Sequence, residues 1–114
     1  MSELSAEHRA RLEELRRSFR EMLPRRLGAI GAAAQALART GDRAKLEELF
    51  HLAHGLTGAS GIYDLPSVSS ASAALEAFLR RALEEGLSPA GMTEIENLVS
   101  ALRAAKDAQP PQGP

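Results

Sequence analysis

Residues 53–61 read Ala53-His54-Gly55-Leu56-Thr57-Gly58-Ala59-Ser60-Gly61, placing an imidazole among three glycines inside a segment with helical periodicity. Each glycine in a helix interior costs about 1 kcal/mol relative to alanine, so the three together take a large share of a small domain's stability. Glycine at such a place marks a bend, a tight packing contact or a site where something must approach the backbone. On a helical wheel at about 100° per residue, Leu49, Ala53, Leu56 and Ser60 share one side. His54, Gly58 and Gly61 fall on a stripe pointing away from it, so His54 stands as an exposed imidazole over bare backbone.

The chemistry suited to that arrangement is phosphoryl carriage. Imidazole is largely unprotonated near neutral pH and is then a good nucleophile. A phosphoryl group held on its nitrogen keeps a high transfer potential. Handing that group to a carboxylate of another protein requires the two side chains in line and close together, and a β-carbon at Gly58 would stand in the partner's way. Two other readings of the same residues are open at this point. His54 is a solvated surface histidine beside glycines that serve helix packing, or it joins His51, three residues earlier, in a metal site. Glu47 shares that face, but spacing places no third ligand. The absence of cysteine excludes thiolate metal sites, disulfides and a cysteine nucleophile.

The elements that must position His54 are helical. Valine occurs only at Val68 and Val99, and no alternating β-branched run exists. Residues 5–23 carry Leu12, Leu15, Phe19, Met22 and Leu23 at three- and four-residue spacings, with Ser5 as a helix start. Pro24 is expected to interrupt, so that a second helix occupies residues 24–39 with Leu27, Ile30, Ala34 and Leu37 along one side. Gly41 suits a left-handed C-terminal position and Asp42 the next N-cap. The third helix, about residues 43–63, carries the motif. A fourth starts near Pro66 and runs to about 85 with Val68, Ala71, Leu75, Phe78, Leu79 and Leu83 on one face. Ser88-Pro89 opens the fifth, about 89–106, as N-cap and first helical residue. Connections of two to four residues turn neighbouring helices back on each other. The expected fold is all-α, an antiparallel up-down four-helix bundle with an additional N-terminal helix over residues 1–107, followed by a disordered Pro-rich tail at 108–114.

With 114 residues the chain makes one domain, and its 44 % hydrophobic and 25 % charged content is ordinary globular usage. Fourteen basic against fifteen acidic residues leave a formal charge of -1, without the basic excess of a nucleic-acid or anionic-membrane binder. Aromatics at 4 % provide no base-stacking platform. No apolar run forms a secretory signal or a membrane span, so a cytoplasmic location is expected. No uncommitted apolar stripe stands out, which points to a monomer. Arg16, Arg17, Arg25 and Arg26 are interleaved with acids and read as a solvated face, with a steering role toward an acidic partner as the sharper option.

At His54, Gly58 and Gly61 the sequence resembles the histidine-containing phosphotransfer domains, or HPt modules, of bacterial two-component phosphorelays. Their pattern is roughly His-x-x-Lys-Gly with a further small residue. The Gly41-Asp42 break, the Pro-initiated fourth helix and Leu75-Glu76 about twenty residues after the histidine also sit as in that family. The likeness covers roughly residues 10–105. It implies a four-helix bundle with His54 as phosphoryl acceptor, and His51, Thr57, Gly58 and Gly61 in phosphoryl or partner docking. It implies no ATP chemistry and no cofactor, since the Mg²⁺ belongs to the receiver domain of a response regulator. The partners implied are that receiver and a sensor or hybrid histidine kinase.

Thr57 departs from the pattern, where a lysine would neutralise and orient the phosphoryl group. Another cation such as Arg80 or Arg81 takes over, transfer is slow, or the module binds receivers without carrying phosphate. Asp64 stands where many members have glycine and is expected at a helix end or turn. The Met1-Ser2 start and short tail suggest a freestanding protein; the phosphotransfer domain of a chemotaxis kinase is the alternative.

Overall fold

The computed structural model describes residues 5–108 and contains four α-helices, with no strand among those residues. They are α1 (Ala6–Thr40), α2 (Arg43–Ile62), α3 (Pro66–Glu85) and α4 (Pro89–Asp107). Each of α2 and α3 packs on its chain neighbours, and α4 closes the circuit against α1. The four-helix bundle expected from periodicity is therefore present. The Pro-rich tail lies outside the described residues apart from Ala108, which caps α4.

The helix starts and stops follow local chemistry. Ser5 accepts from the His8 backbone N–H at 3.1 Å, and Ser88 accepts from Gly91 N–H at 3.0 Å ahead of Pro89. Each satisfies one of the orphan donors of a first turn. Gly41 ends α1 in the left-handed region at φ 64°. Asp42 precedes α2, but its side chain makes no capping bond; instead the Thr40 hydroxyl accepts from Asp42 N–H at 3.1 Å. At the end of α2, Leu65 N–H reaches Ser60 O and Asp64 N–H reaches Gly61 O, the paired bonds of a Schellman turn. Asp64 takes the left-handed position of that turn, with φ 63°, which accounts for glycine being the easier residue there.

One expectation is corrected. No separate N-terminal helix precedes the bundle, because α1 runs unbroken through Pro24. A proline inside a helix removes a hydrogen bond and crowds the preceding turn, at a cost of about 3 kcal/mol. Pro24 sits on the exposed side, where the carbonyl it leaves unpaired can reach water. Phe19, Leu23, Leu27, Ile30, Ala34 and Leu37 form one buried stripe across it. Packing on both sides of the proline holds the two halves in one helix. At about 1.5 Å per residue, α1 extends about 52 Å, matching the 51 Å long axis of the molecule. No residue from 6 to 18 is buried, so this stretch projects beyond the shorter helices.

The core is aliphatic. Leu49, Leu56, Leu75, Leu79, Ile95 and Leu102 are fully buried. Phe19 and Tyr63 stack at 5.1 Å and tie α1 to the end of α2. These contacts fix the rotation of α2, and thereby which of its residues face out.

Candidate functional site

The site forms where α2 meets α3. Burial of Ala53, Leu56 and Ser60 turns His54 outward, leaving its side chain 64 % exposed. Its ring stacks on Phe50, 6.0 Å between centroids and 14° between planes. Opposite, α3 presents a polar stripe at Ser69, Ser72, Glu76 and Arg80, the three- and four-residue spacing of one helix face. Each member meets α2. Ser69 donates to Thr57 O at 3.2 Å, Ser72 donates to Ala53 O at 2.9 Å, Glu76 meets His54, and Arg80 lies over the Phe50 ring at 5.4 Å. With Arg43 donating to Leu83 O at 2.9 Å, these bonds pair the start of one helix with the end of the other.

The central contact is His54 Nδ1 to Glu76 Oε2 at 2.8 Å. The same oxygen accepts from Arg80 Nη2 at 3.1 Å. Glu76 has a side chain only 12 % exposed. Burial pushes its pKa up, but the hydrogen bond from His54 and the positive charges of His54 and Arg80 outweigh that and hold it below the ordinary value. An ionised carboxylate only accepts, so the hydrogen of the bond resides on Nδ1. In the neutral ring the lone pair is then on Nε2, for which no hydrogen-bonding partner exists among the described residues. The arrangement prepares a tautomer with its nucleophilic nitrogen free, the way a carboxylate orients a ligating or catalytic histidine elsewhere.

The other residues singled out from sequence distribute as follows. Thr57 is half-buried with its hydroxyl turned into the α2–α3 contact, 2.9 Å from both Ala53 O and the Ser72 hydroxyl. Since Ser72 donates to that carbonyl, Thr57 donates its one hydrogen to one of these two groups. Gly58 is exposed, and a Cβ there would meet nothing within 4 Å; the same holds for Gly55. A Cβ at Gly61 would come 3.7 Å from Ser69 Oγ, an ordinary contact. A side chain at Gly55 or Gly58 would therefore pack against no other element among the described residues. His51 is exposed on the α1 side of His54, edge-on to Phe50 at 5.4 Å. Arg80 belongs to the site, whereas Arg81 lies over Phe78 at 5.8 Å on the flank toward α4. Among the described residues no group of three or more metal-binding side chains comes together, and no helix is long and apolar enough to cross a membrane.

Glu76 is the member of this cluster that sequence reasoning passed over, noting it only as part of the Leu75-Glu76 pair. The signal was present: Ser72, Glu76 and Arg80 follow at four-residue intervals beside the buried Leu75 and Leu79. A carboxylate so placed is rarely buried without a partner.

The family model described as Hpt domain matches residues 14–105. No curated protein and no solved structure matches the chain. Hpt domains are phosphocarrier modules of two-component phosphorelays and work with receiver domains and histidine kinases. A match over most of the chain, on a four-helix bundle with an outward-facing histidine on α2, leads to one conclusion: the chain belongs to the Hpt domain family.

Proposed function

We propose that the protein carries a phosphoryl group on Nε2 of His54 and relays it between aspartates of receiver domains in two-component signalling. The observation that carries the reading is the 2.8 Å contact between His54 Nδ1 and the Glu76 carboxylate. Nε2 attacks the phosphorus of an aspartyl phosphate. The N–P bond forms, the P–O bond to the aspartate breaks, and the carboxylate leaves with the electron pair. No proton has to move, because Nδ1 keeps its hydrogen. The ring becomes a phosphorylated imidazolium whose positive charge faces Glu76. The reverse step regenerates neutral His54.

Arg80 offers the charge that Thr57 lacks. Its guanidinium shares the carboxylate oxygen that holds His54, and its side chain is 55 % exposed. It is free to follow the phosphoryl oxygens at the helix surface. Thr57 acts instead through the α2–α3 contact, steadying Glu76. Exposed Gly58 gives the receiver's loops room to press on α2, and Gly61 extends the same surface. The divalent cation comes with the receiver, and the kinase that feeds the relay acts through such a receiver. The module works as a cytoplasmic monomer without ATP chemistry of its own.

The experiment is phosphoryl transfer from a panel of radiolabelled phospho-receiver domains to the native chain and to His54→Gln. Acid-labile, base-stable label on the native chain alone is expected. Label that persists on His54→Gln overturns the assignment. Receiver binding without any label on the native chain replaces it with a helical adaptor that carries no phosphate.

A further inference from the structure

Between α1 and α2, on the far side of His54 from Glu76, lies a concavity of about 380 Å³ lined by Arg25, Arg26, Ala29, His51, Leu52 and Gly55. We propose that this groove seats an acidic segment of the receiver that exchanges its phosphoryl group with His54. The proposal rests on the phosphocarrier reading for the identity of the partner.

Charge is the first argument. Arg25 and Arg26 make no ion pair among the described residues, although Arg11, Arg16 and Arg20 on the same helix pair with Glu13 or Glu14. Arg26 rests over the Phe19 ring at 5.4 Å, which positions its guanidinium without neutralising it. No carboxylate lines the groove. In a chain of formal charge -1, two uncompensated guanidiniums beside an imidazole form a local basic seat. A partner that holds Mg²⁺ next to its reacting aspartate must gather carboxylates to do so, because that cation takes oxygen ligands. Its face is therefore complementary to this one.

The floor is the second argument. Gly55 is exposed, has nothing near its missing Cβ, and sits inside a helix where alanine would be more stable by about 1 kcal/mol. A side chain there would rise into the groove. With Ala29 opposite, the smallest residues line the place where a partner's backbone would come closest. Gly55 adjoins His54 and His51 is one turn away, so a segment held here belongs to a molecule already positioned over Nε2. Since the two arginines lie on α1, outside the reacting group, the seat sets partner choice and association rate while His54, Glu76 and Arg80 perform the chemistry.

The test uses Arg25→Glu/Arg26→Glu and the milder Arg25→Gln/Arg26→Gln in the full chain, with the receiver of the panel that binds the native chain most tightly. Equilibrium titration at two salt concentrations, which needs no phosphoryl transfer, measures the seat. Labelling of His54 by phosphoramidate, in which the P–N bond breaks, an N–P bond forms on Nε2 and ammonia departs, measures the chemistry without a receiver. The expected result is receiver affinity at least tenfold weaker for the Glu pair, several-fold weaker for the Gln pair, and a flatter salt dependence in both. Helical circular dichroism and phosphoramidate labelling stay at native levels. Receiver affinity unchanged by both pairs overturns the proposal. So does a loss confined to binding of a histidine kinase, which would assign the groove to that partner. A native chain that neither phosphoramidate nor any receiver labels counts against the phosphocarrier reading alone, since the titration still reports on the seat.

Discussion

Replacing Gly55 and Gly58 by alanine, singly and together, separates what the fold needs from what a partner needs. Both glycines lie inside α2, both are exposed, and at neither would a Cβ approach any atom within 4 Å. Alanine therefore gains its helix propensity, about 1 kcal/mol per site, with no clash to set against it. The two sites make no side-chain contacts of their own, so the double variant should gain about 2 kcal/mol. For a domain of this size that raises Tm by about 8 °C. Gly31→Ala is the internal control. Gly31 is buried and the Arg103 guanidinium occupies the space its Cβ would need, so the gain there should be smaller or reversed. Thermal and urea unfolding followed by circular dichroism measure these changes. Receiver-dependent phosphorylation of His54 in the same proteins gives the opposing readout. Gly58→Lys should leave the fold at least as stable as native and slow transfer by one to two orders of magnitude, on the scale expected when reacting groups are kept from alignment. Unchanged or reduced stability of both alanine variants would refute the claim that these glycines have no packing role. Undiminished transfer by Gly58→Lys would refute the claim that they clear a path for a partner.

Two further outcomes follow from the site and the turn behind it. Glu76 ionises more readily in the folded chain than the ordinary value of 4.5. Its contribution to stability is thus present above that pH and is lost as the pH falls through the lower folded value. The stability difference between native chain and Glu76→Gln, measured by urea unfolding, should be largest near neutrality and shrink as the pH drops below about 4.5; a pH-independent difference would contradict the assignment. Asp64 holds φ 63° at the end of α2. Asp64→Gly should stabilise by several tenths to about 1 kcal/mol and Asp64→Val should destabilise by about 1–2 kcal/mol, since β-branching is poorly tolerated in that region. Equal stability of the two variants in thermal unfolding would show that the turn relaxes.

The phosphocarrier geometry divides labour between two helices. On α2, burial of Ala53 and Leu56 turns His54 out, and the Phe50 ring stacks beside it. On α3, the Glu76 side chain is almost wholly buried in the contact, and its charge is held by two donors, His54 and Arg80. Below it Ser72 fastens α3 to α2 by donating to Ala53 O, and its hydroxyl lies 2.9 Å from that of Thr57. The departure from lysine at position 57 thus puts a hydroxyl in the α2–α3 contact where a surface cation would stand, while Arg80 brings a cation from the opposite helix.

The parts of the molecule whose causes are local were legible in the sequence. Ser5, Gly41, Ser88 and Pro89 act on backbone groups within three or four residues, and the period of Leu49, Ala53, Leu56 and Ser60 was enough to turn His54 outward. Those are the ranges over which capping bonds and helical periodicity operate. Tertiary structure alone decided the rest. Pro24 signals a break by every local rule, and only the buried stripe from Phe19 to Leu37, packed on both sides of it, keeps α1 whole. His54 and Glu76 are 22 residues apart, and their bond depends on the rotation and register of α3 against α2. The same register brings Arg80 to the site and carries Arg81 to the other flank. It also turns the Thr57 hydroxyl inward. Helix packing sets that register through the full set of core contacts, so no short stretch of sequence contains it.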